Sequence, residues 1–455
     1  MPTAYTILFL LLILVAAATW IIPAGSYDYV DGVPVAGTYH TVEQNPQGVG
    51  DVLKAAFSGF YDAVDVCIFI LMVGGFLGVV MKTGAVDAGV GNVIRLLGGR
   101  EKWLIPILML LFGLGGTTYG MWEETMAFYP LLIPVFLAAG YDAVVGISVI
   151  LLGAGAGVIA STVNPFATGI AAGFAGVSLG EGIVLRLLEW VAFEAAAIWF
   201  VMAYAAKVKK NPSKSVVGVG AGKIQVSMDQ QVPFTAKRKV IMALFTLTFL
   251  IMVYAVVPFD EMGLSLPALG WWFPELSALF LVAGVVIGLI DRMSEEELVE
   301  TYVAGCADLL GVAFIIGISR GITVLMNDGA ITDTVLHWGE QALSGAGAIS
   351  FTLLVFALYL PLTILIPSSS GLATLSIPIV APLGKFAGVG GDLVVTAFQS
   401  ASGLVNIITP TAAVVMGALA LGHVPYDRWV KYVWKLILYF LLLTMAFLIV
   451  GALLG

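Results

Sequence analysis

Pro367-Ser368-Ser369-Ser370-Gly371 stops an apolar run, residues 351–366, that would otherwise cross a membrane unbroken. A second apolar segment follows, with Pro378 and Pro382 four apart and then Gly388 and Asp392. The next apolar run ends at Val405-Asn406-Ile407-Ile408-Thr409-Pro410-Thr411. The same order occurs earlier in the chain. An apolar run stops at Thr117-Thr118-Tyr119-Gly120-Met121-Trp122-Glu123-Glu124, Pro130 and Pro134 follow, then Gly140 and Asp142, and a Gly-rich run ends at Val163-Asn164-Pro165. Pro130 and Pro378 lie 248 apart, as do Pro134 and Pro382, and Asn164 and Asn406 lie 242 apart. Upstream, Gly59 and Asp62 match Gly305 and Asp308 at an offset of 246. A near-constant offset of this kind marks an internal repeat. Interrupted hydrophobic segments at matching places in two halves point to the binding site of a transporter.

The 455 residues are 60% hydrophobic and 11% charged, against about 25% charged in soluble chains. Runs of ~20 apolar residues fit a bilayer's hydrocarbon thickness. The expected fold is therefore an all-α polytopic membrane protein of two inverted repeats, with re-entrant hairpins and discontinuous helices. The net charge of −9 comes without a basic patch, so no nucleic-acid partner is expected. Cys67 and Cys306 both lie in apolar runs and read as small hydrophobes. His40, His337 and His423 are isolated, without metal-ligand spacing. Residues 1–23 read as a retained first span rather than a signal peptide.

The expected spans are residues 4–22, 60–81, 144–174 (broken at 161–165), 183–206, 240–257, 275–290, 301–325, 393–421 (broken near 406–410) and 429–454. Hairpins occupy 103–139 and 349–386, and amphipathic interfacial segments 85–97 and 331–343. Residues 1–206 form the first repeat, 207–274 a cytoplasmic loop with a linking span, and 275–455 the second repeat. Lys and Arg favour the cytoplasmic side. With the N-terminus inside, 16 of the 20 Lys and Arg fall inside and only Lys54, Arg186 and Lys385 outside, with Arg320 within a span. The halves are then inverted, with one hairpin entering from each side.

Helix breaks within a membrane persist only where protein buries them or they line a wet cavity. Asn164-Pro165 and Thr409-Pro410 each read as an N-cap followed by proline at the first helical position. The half-helices behind them, and the Ser368-Ser369-Ser370 turn, present positive dipole ends where an anionic group could bind. The bland alternative is a loop tip packed by its neighbours; two matching pairs of interruptions argue against it. Glu123 and Glu124 at the other tip could bind a substrate amine, a proton or a metal cation, or simply hydrogen-bond Thr117 or Thr118. Arg320 could pair with a substrate carboxylate or lock onto Asp308 or Asp65. The candidate substrate-binding set is Glu123, Glu124, Asn164, Arg320, Ser368, Ser369, Ser370, Asn406, Thr409 and Thr411. Gly317-Ile318-Ser319-Arg320-Gly321 has the spacing of a hydrolase nucleophile elbow, but that motif needs a strand-to-helix turn. In mid-span it reads as small-residue helix packing. No catalytic constellation is present, and the polar residues gather at tips rather than along a pore. An enzyme and a channel are thus the weaker alternatives to a carrier.

Taken together, Pro2-Thr3-Ala4-Tyr5, Trp20-Ile21-Ile22-Pro23-Ala24-Gly25, Glu123-Glu124, Gly140-Tyr141-Asp142, Asn164-Pro165-Phe166, Ser368-Ser369-Ser370-Gly371 and Asn406-Ile407-Ile408-Thr409-Pro410-Thr411 resemble the YfcC family. That family is related to the DcuC-type anaerobic dicarboxylate carriers of the ion transporter superfamily. The resemblance covers nearly the whole chain. It implies a homodimeric secondary transporter of a prokaryotic inner membrane, with a dimerising scaffold and a transport domain holding both hairpins. It also implies four-carbon dicarboxylates or basic amino acids as substrates, and no cofactor beyond a coupling ion. Sodium-coupled relatives carry Ser-Asn-Thr at both hairpin tips, where this chain has Glu-Glu-Thr and Ser-Ser-Ser, so sodium and proton both stay open. One tip is acidic and the other offers hydroxyls and helix N-termini. An amino acid satisfies both and is the first choice; a dicarboxylate fits if one Glu is protonated. The charge asymmetry predicts that single cysteines at Ser215 and Gly455 label from opposite sides of the membrane. Labelling of both from one side would refute the topology.

Overall fold

The computed structural model describes residues 4–30, 33–35, 37–86, 88–89, 100–118, 120–178, 180–218, 233–256, 266–267, 269–271 and 273–454. Most of the expected amphipathic segment 85–97, part of loop 207–239, much of 258–274 and the label position Gly455 lie outside them. Of the described residues 78% are helical, and they form 17 helices. In the first half these are α1 (Ala4–Ala18), α2 (Val49–Asp62), α3 (Val64–Lys82), α4 (Leu104–Thr118), α5 (Tyr129–Ala138), α6 (Ala143–Ile159), α7 (Ile170–Ala175) and α8 (Ile183–Lys210). After the linking helix α9 (Ala236–Val256) come α10 (Phe273–Asp291), α11 (Glu295–Asp328), α12 (Thr332–Leu343), α13 (Ala348–Leu365), α14 (Ser369–Phe386), α15 (Gly391–Asn406), α16 (Ala413–Leu421) and α17 (Tyr426–Leu454). Among the described residues, α3, α10, α11, α13 and α17 are long and apolar enough to cross a membrane. α8 is 28 residues long but carries Arg186, Glu189 and Glu194 within its apolar stretch.

The loop expected over 24–53 is more structured than its composition suggests. Two-residue strands pair Gly25–Ser26 with His40–Thr41, and Tyr29–Val30 with Val33–Pro34. Tyr27 N and Tyr29 Oη both donate to Asp333 of α12, Tyr27 Oη donates to Glu340, and the Tyr39 ring stacks on His337 at 4.0 Å. The span expected over 60–81 begins earlier, as two helices broken at Ala63 (φ −121°, ψ 25°). Neither proline nor glycine marks that break, and Asp51, Lys54 and Ser58 on α2 disguise it as loop. The resulting unit is matched across the chain: Val49 stands 246 residues before Glu295, and Lys82 246 before Asp328. α11 also starts earlier than expected, because Ser294 caps it by accepting from Glu297 N and three glutamates fill its first turn.

α11 lies antiparallel to α2 and α3, at backbone contact. A Cβ on Gly59 would lie 2.1 Å from Gly317 O, one on Gly74 2.5 Å from Gly305 O, and one on Gly321 2.7 Å from Ala55 O. Small residues let membrane helices approach this closely. The Gly317–Gly321 segment is therefore a packing surface. Tyr302 extends the seam, its Oη donating to Met72 O at 3.0 Å, while Phe69 and Phe76 meet Phe280 of α10. Together α1, α2, α3, α10 and α11 form one layer. The other packs α4 against α6 through Gly113, Gly116, Gly153 and Gly157, with α13 and α15 joined by Tyr359 against Phe398. Overpacking a tight contact costs about 1–3 kcal/mol. Gly305→Leu, whose Cβ alone would lie 2.4 Å from Gly74 O, should lower the melting temperature of the purified protein. The exposed Gly347→Leu, with nothing within 4 Å of its added Cβ, should leave it unchanged.

Candidate functional site

The first interruption is held by the end of α4. Thr117 Oγ1 donates to Ala160 O at 2.8 Å, and Thr117 O accepts from both the N–H and the hydroxyl of Thr162 at 2.9 Å. One hairpin limb thereby supplies the partners that the unwound stretch lacks. Thr117 is thus committed to the break, and Thr118 Oγ1 donates to Leu114 O, so neither threonine engages the glutamates as the sequence allowed. Asn164 Oδ1 accepts from Ala167 N at 3.3 Å, the expected N-cap. Gly120, at φ +78°, packs on the Asn164 side chain so closely that a Cβ would lie 2.4 Å from Nδ2.

The second interruption is held from two other helices. Trp429 Nε1 donates to Ile407 O at 3.1 Å, Tyr426 Oη to Ile408 O at 2.8 Å, and Ser319 Oγ to Thr411 O. Thr409 does not cap the half-helix. It heads a turn closed by Ala412 N donating to Thr409 O, and α16 begins at Ala413 without a side-chain cap. Pro410 takes the second place of that turn, which proline favours. At the hairpin tip, Ser368 caps α14 by accepting from Gly371 N at 3.2 Å.

These pieces meet around one cavity of about 220 Å³. Glu123, Glu124, Asn164, Arg320, Ser368, Ser369, Ser370, Asn406 and Thr411 all line it. Thr409 stands behind, its hydroxyl 2.9 Å from that of Thr411. The two glutamates differ in employment. Glu124 is 5% exposed and its Oε2 accepts from Trp122 N at 3.1 Å, whereas Glu123 is half-buried at the cavity wall. Arg320 pairs with Asp62, Nε to Oδ2 at 3.8 Å, rather than with Asp308 or Asp65. Asp308 lines a separate crevice with Tyr5, His423 and Arg428.

Sequence reasoning missed Asp62, Asp65 and Ser319, which also line the cavity. The two aspartates flank the Ala63 break, and a pair of carboxylates within an apolar stretch was the available signal. The walls therefore carry four carboxylates (Asp62, Asp65, Glu123, Glu124) and one guanidinium (Arg320). Ser319, Ser368–Ser370 and Thr411 line the same cavity, and Ser368–Ser370 form the N-terminus of the 18-residue α14. Such an arrangement can hold a cation on one side and a carboxylate on the other.

The model of the DcuC family, C4-dicarboxylate anaerobic carriers, matches residues 1–453. The chain belongs to this family. It is a membrane transporter of the DcuC/YfcC type, not an enzyme. Its relatives include an uncharacterised protein of Haemophilus influenzae, 35% identical over 99% of this chain and 96% of the other. YfcC of Escherichia coli K12, named as a candidate basic amino acid antiporter, is 31% identical over 95% and 92%. Among solved structures, the YdaH transporter of Alcanivorax borkumensis aligns at 15% identity over 99% and 98% of the two chains, with a TM-score of 0.44. MtrF of Neisseria gonorrhoeae, described as an antimetabolite efflux pump, aligns at 18% identity over 99% and 95%, with a TM-score of 0.43.

Leaving a buried polar group unsatisfied costs about 1–3 kcal/mol. Thr117→Val should therefore lower the melting temperature and loosen the cavity wall. The check is faster proteolysis or hydrogen exchange over residues 158–164, compared with Thr118→Val, which is expected to behave like the parent.

Proposed function

We propose that the chain is a secondary transporter of amino acids, with basic ones first, in the cytoplasmic membrane of a prokaryote. The observation that carries the reading is the excess of four carboxylates over one guanidinium around the cavity. A dicarboxylate would meet that excess as repulsion. A basic amino acid brings two cationic groups for the acidic wall and one carboxylate for the Ser368–Ser370 turn and Arg320. The name given to the E. coli relative agrees with this choice. The family description favours the second reading, a four-carbon dicarboxylate carrier or exchanger. That reading requires protons on part of the acidic wall.

The layers suggest an elevator-like cycle in a homodimer. α2, α3, α10 and α11 are the static partner in this reading, and the two hairpins with α6–α8 and α15–α17 are the moving part. Both parts line the cavity, the first through Ala63 and Arg320 and the second through Ser368–Ser370. A verified cross-link between cysteines at Ala63 and Ser369 should stop transport while preserving binding from one side; full transport would count against the elevator.

Removing one partner of a buried charged pair costs about 2–5 kcal/mol, so the weakest case is about a thirtyfold loss of affinity. Glu123→Gln should weaken binding of L-arginine, measured calorimetrically, by at least that factor, and Ser369→Ala by less. Glu124→Gln should act mainly through the tip, because Glu124 holds Trp122 N. Binding of succinate but not L-arginine, or an unchanged arginine affinity in both glutamine variants, would sink the amino-acid reading.

A further inference from the structure

Two carboxyl groups on α8 have no place in the cavity. Glu189 is fully buried; its Oε1 accepts from Ser400 Oγ at 3.1 Å and its Oε2 has no hydrogen-bond partner among the described residues. Glu194 is more exceptional. It is 2% exposed, and neither oxygen has a hydrogen-bond partner among the described residues. At 1.5 Å per residue it stands about 17 Å along α8 from the Ile183 end, close to the middle of a ~30 Å hydrocarbon core.

The niche that holds Glu194 is built by α4. A Cβ added to Gly113 would lie 2.3 Å from Glu194 Oε2, so only glycine leaves room for the carboxyl there. The Gly113 carbonyl meets Gly157 of α6, where an added Cβ would lie 2.2 Å away. α4 is thus wedged between α6 and α8 at the level of the carboxyl. It is also the limb that leads to the Glu123-Glu124 tip and to Thr117.

Few charges face the niche. α4 and α6 contribute no titratable side chain. From α17, Phe440 packs on Phe193, and Tyr432 lies farther along against Phe200 and Tyr204. α15 brings Ser400 to Glu189. On α8 itself the charged neighbours, Arg186 and Glu189, lie toward the Ile183 end, and Asp392 joins Arg186 beside Gly182.

An ionised carboxylate buried without donors costs several kcal/mol, far more than a neutral acid in the same place. The packed arrangement therefore accommodates the acid form. Ionisation requires water, and parting α4 from α8 at Gly113 would open the niche to it. Proton occupancy and the position of the hairpin limb are then two ends of one equilibrium.

We propose that Glu194 carries the coupling proton of the transport cycle. Its carboxylate takes up one proton to become the acid as α4 closes on α8. It returns that proton when the limb opens toward the other side. This inference needs only that the chain is a carrier and stands apart from the choice between amino acid and dicarboxylate.

The experiment uses the full chain in liposomes containing a trapped pH-sensitive dye, with L-arginine and succinate as parallel probes. Infrared difference spectra of the same protein report protonated carboxyl groups. Wild type should move protons with whichever solute it carries, and its solute flux should depend on pH. Glu194→Gln should keep solute exchange, lose the accompanying proton movement, show a flat pH profile and lose one protonated-carboxyl band. If Glu194→Gln is not monodisperse, Glu194→Met, neutral and of similar size, is read in the same assays. Proton movement per solute equal to wild type in a folded variant, or an unchanged carboxyl spectrum, would overturn the proposal. So would wild-type flux without protons. Proton-coupled succinate flux without arginine flux would support it while refuting the amino-acid reading.

Discussion

A helix that stops inside a membrane span leaves amides and carbonyls that no water satisfies, and everything around the cavity is arranged to meet that need. Thr117 satisfies the first break through both its hydroxyl and its carbonyl, and Trp429, Tyr426 and Ser319 supply the carbonyl partners of the second. The partners come from a hairpin limb, from the last helix and from the long helix α11. Each break is thereby tied to elements distant in sequence, and the polar residues of both halves are drawn to one place.

Close helix contact is the second requirement, and glycine meets it in two different ways. Between α11 and the α2–α3 pair, glycines let antiparallel backbones touch. Between α4 and α6 they serve a parallel pair, and at Gly113 the space admits a carboxyl group instead of a helix. The first contact joins the two halves of the chain. The second controls how tightly a hairpin limb is seated.

Much of this was legible in the sequence because punctuation is local. Pro367, Ser368, Asn164-Pro165 and Asn406 announce interruptions by residue type alone, and the structure gathers them at one cavity. Partners are not local, and there the sequence was silent. Arg320 offered Asp308 and Asp65 as partners, and folding pairs it with neither but with Asp62. Ala63 breaks a helix with none of the residues that usually do so, which hid both the helix α2 and two wall carboxylates. Thr409-Pro410 has the composition of a cap but forms a turn, because Thr411 and Ala412 still precede α16. Glu194 shares its apolar span with Arg186 and Glu189, and nothing local sets it apart, since burial and the absence of donors are properties of packing.

The contact between Gly74 and Gly305 holds both positions to glycine through backbone geometry alone. A side chain gained at either position would collide with the other's backbone carbonyl, which every residue carries, so no change at the partner relieves the clash. Exchange of one side of that seam for another sequence is tolerated only if it brings glycine to the same place.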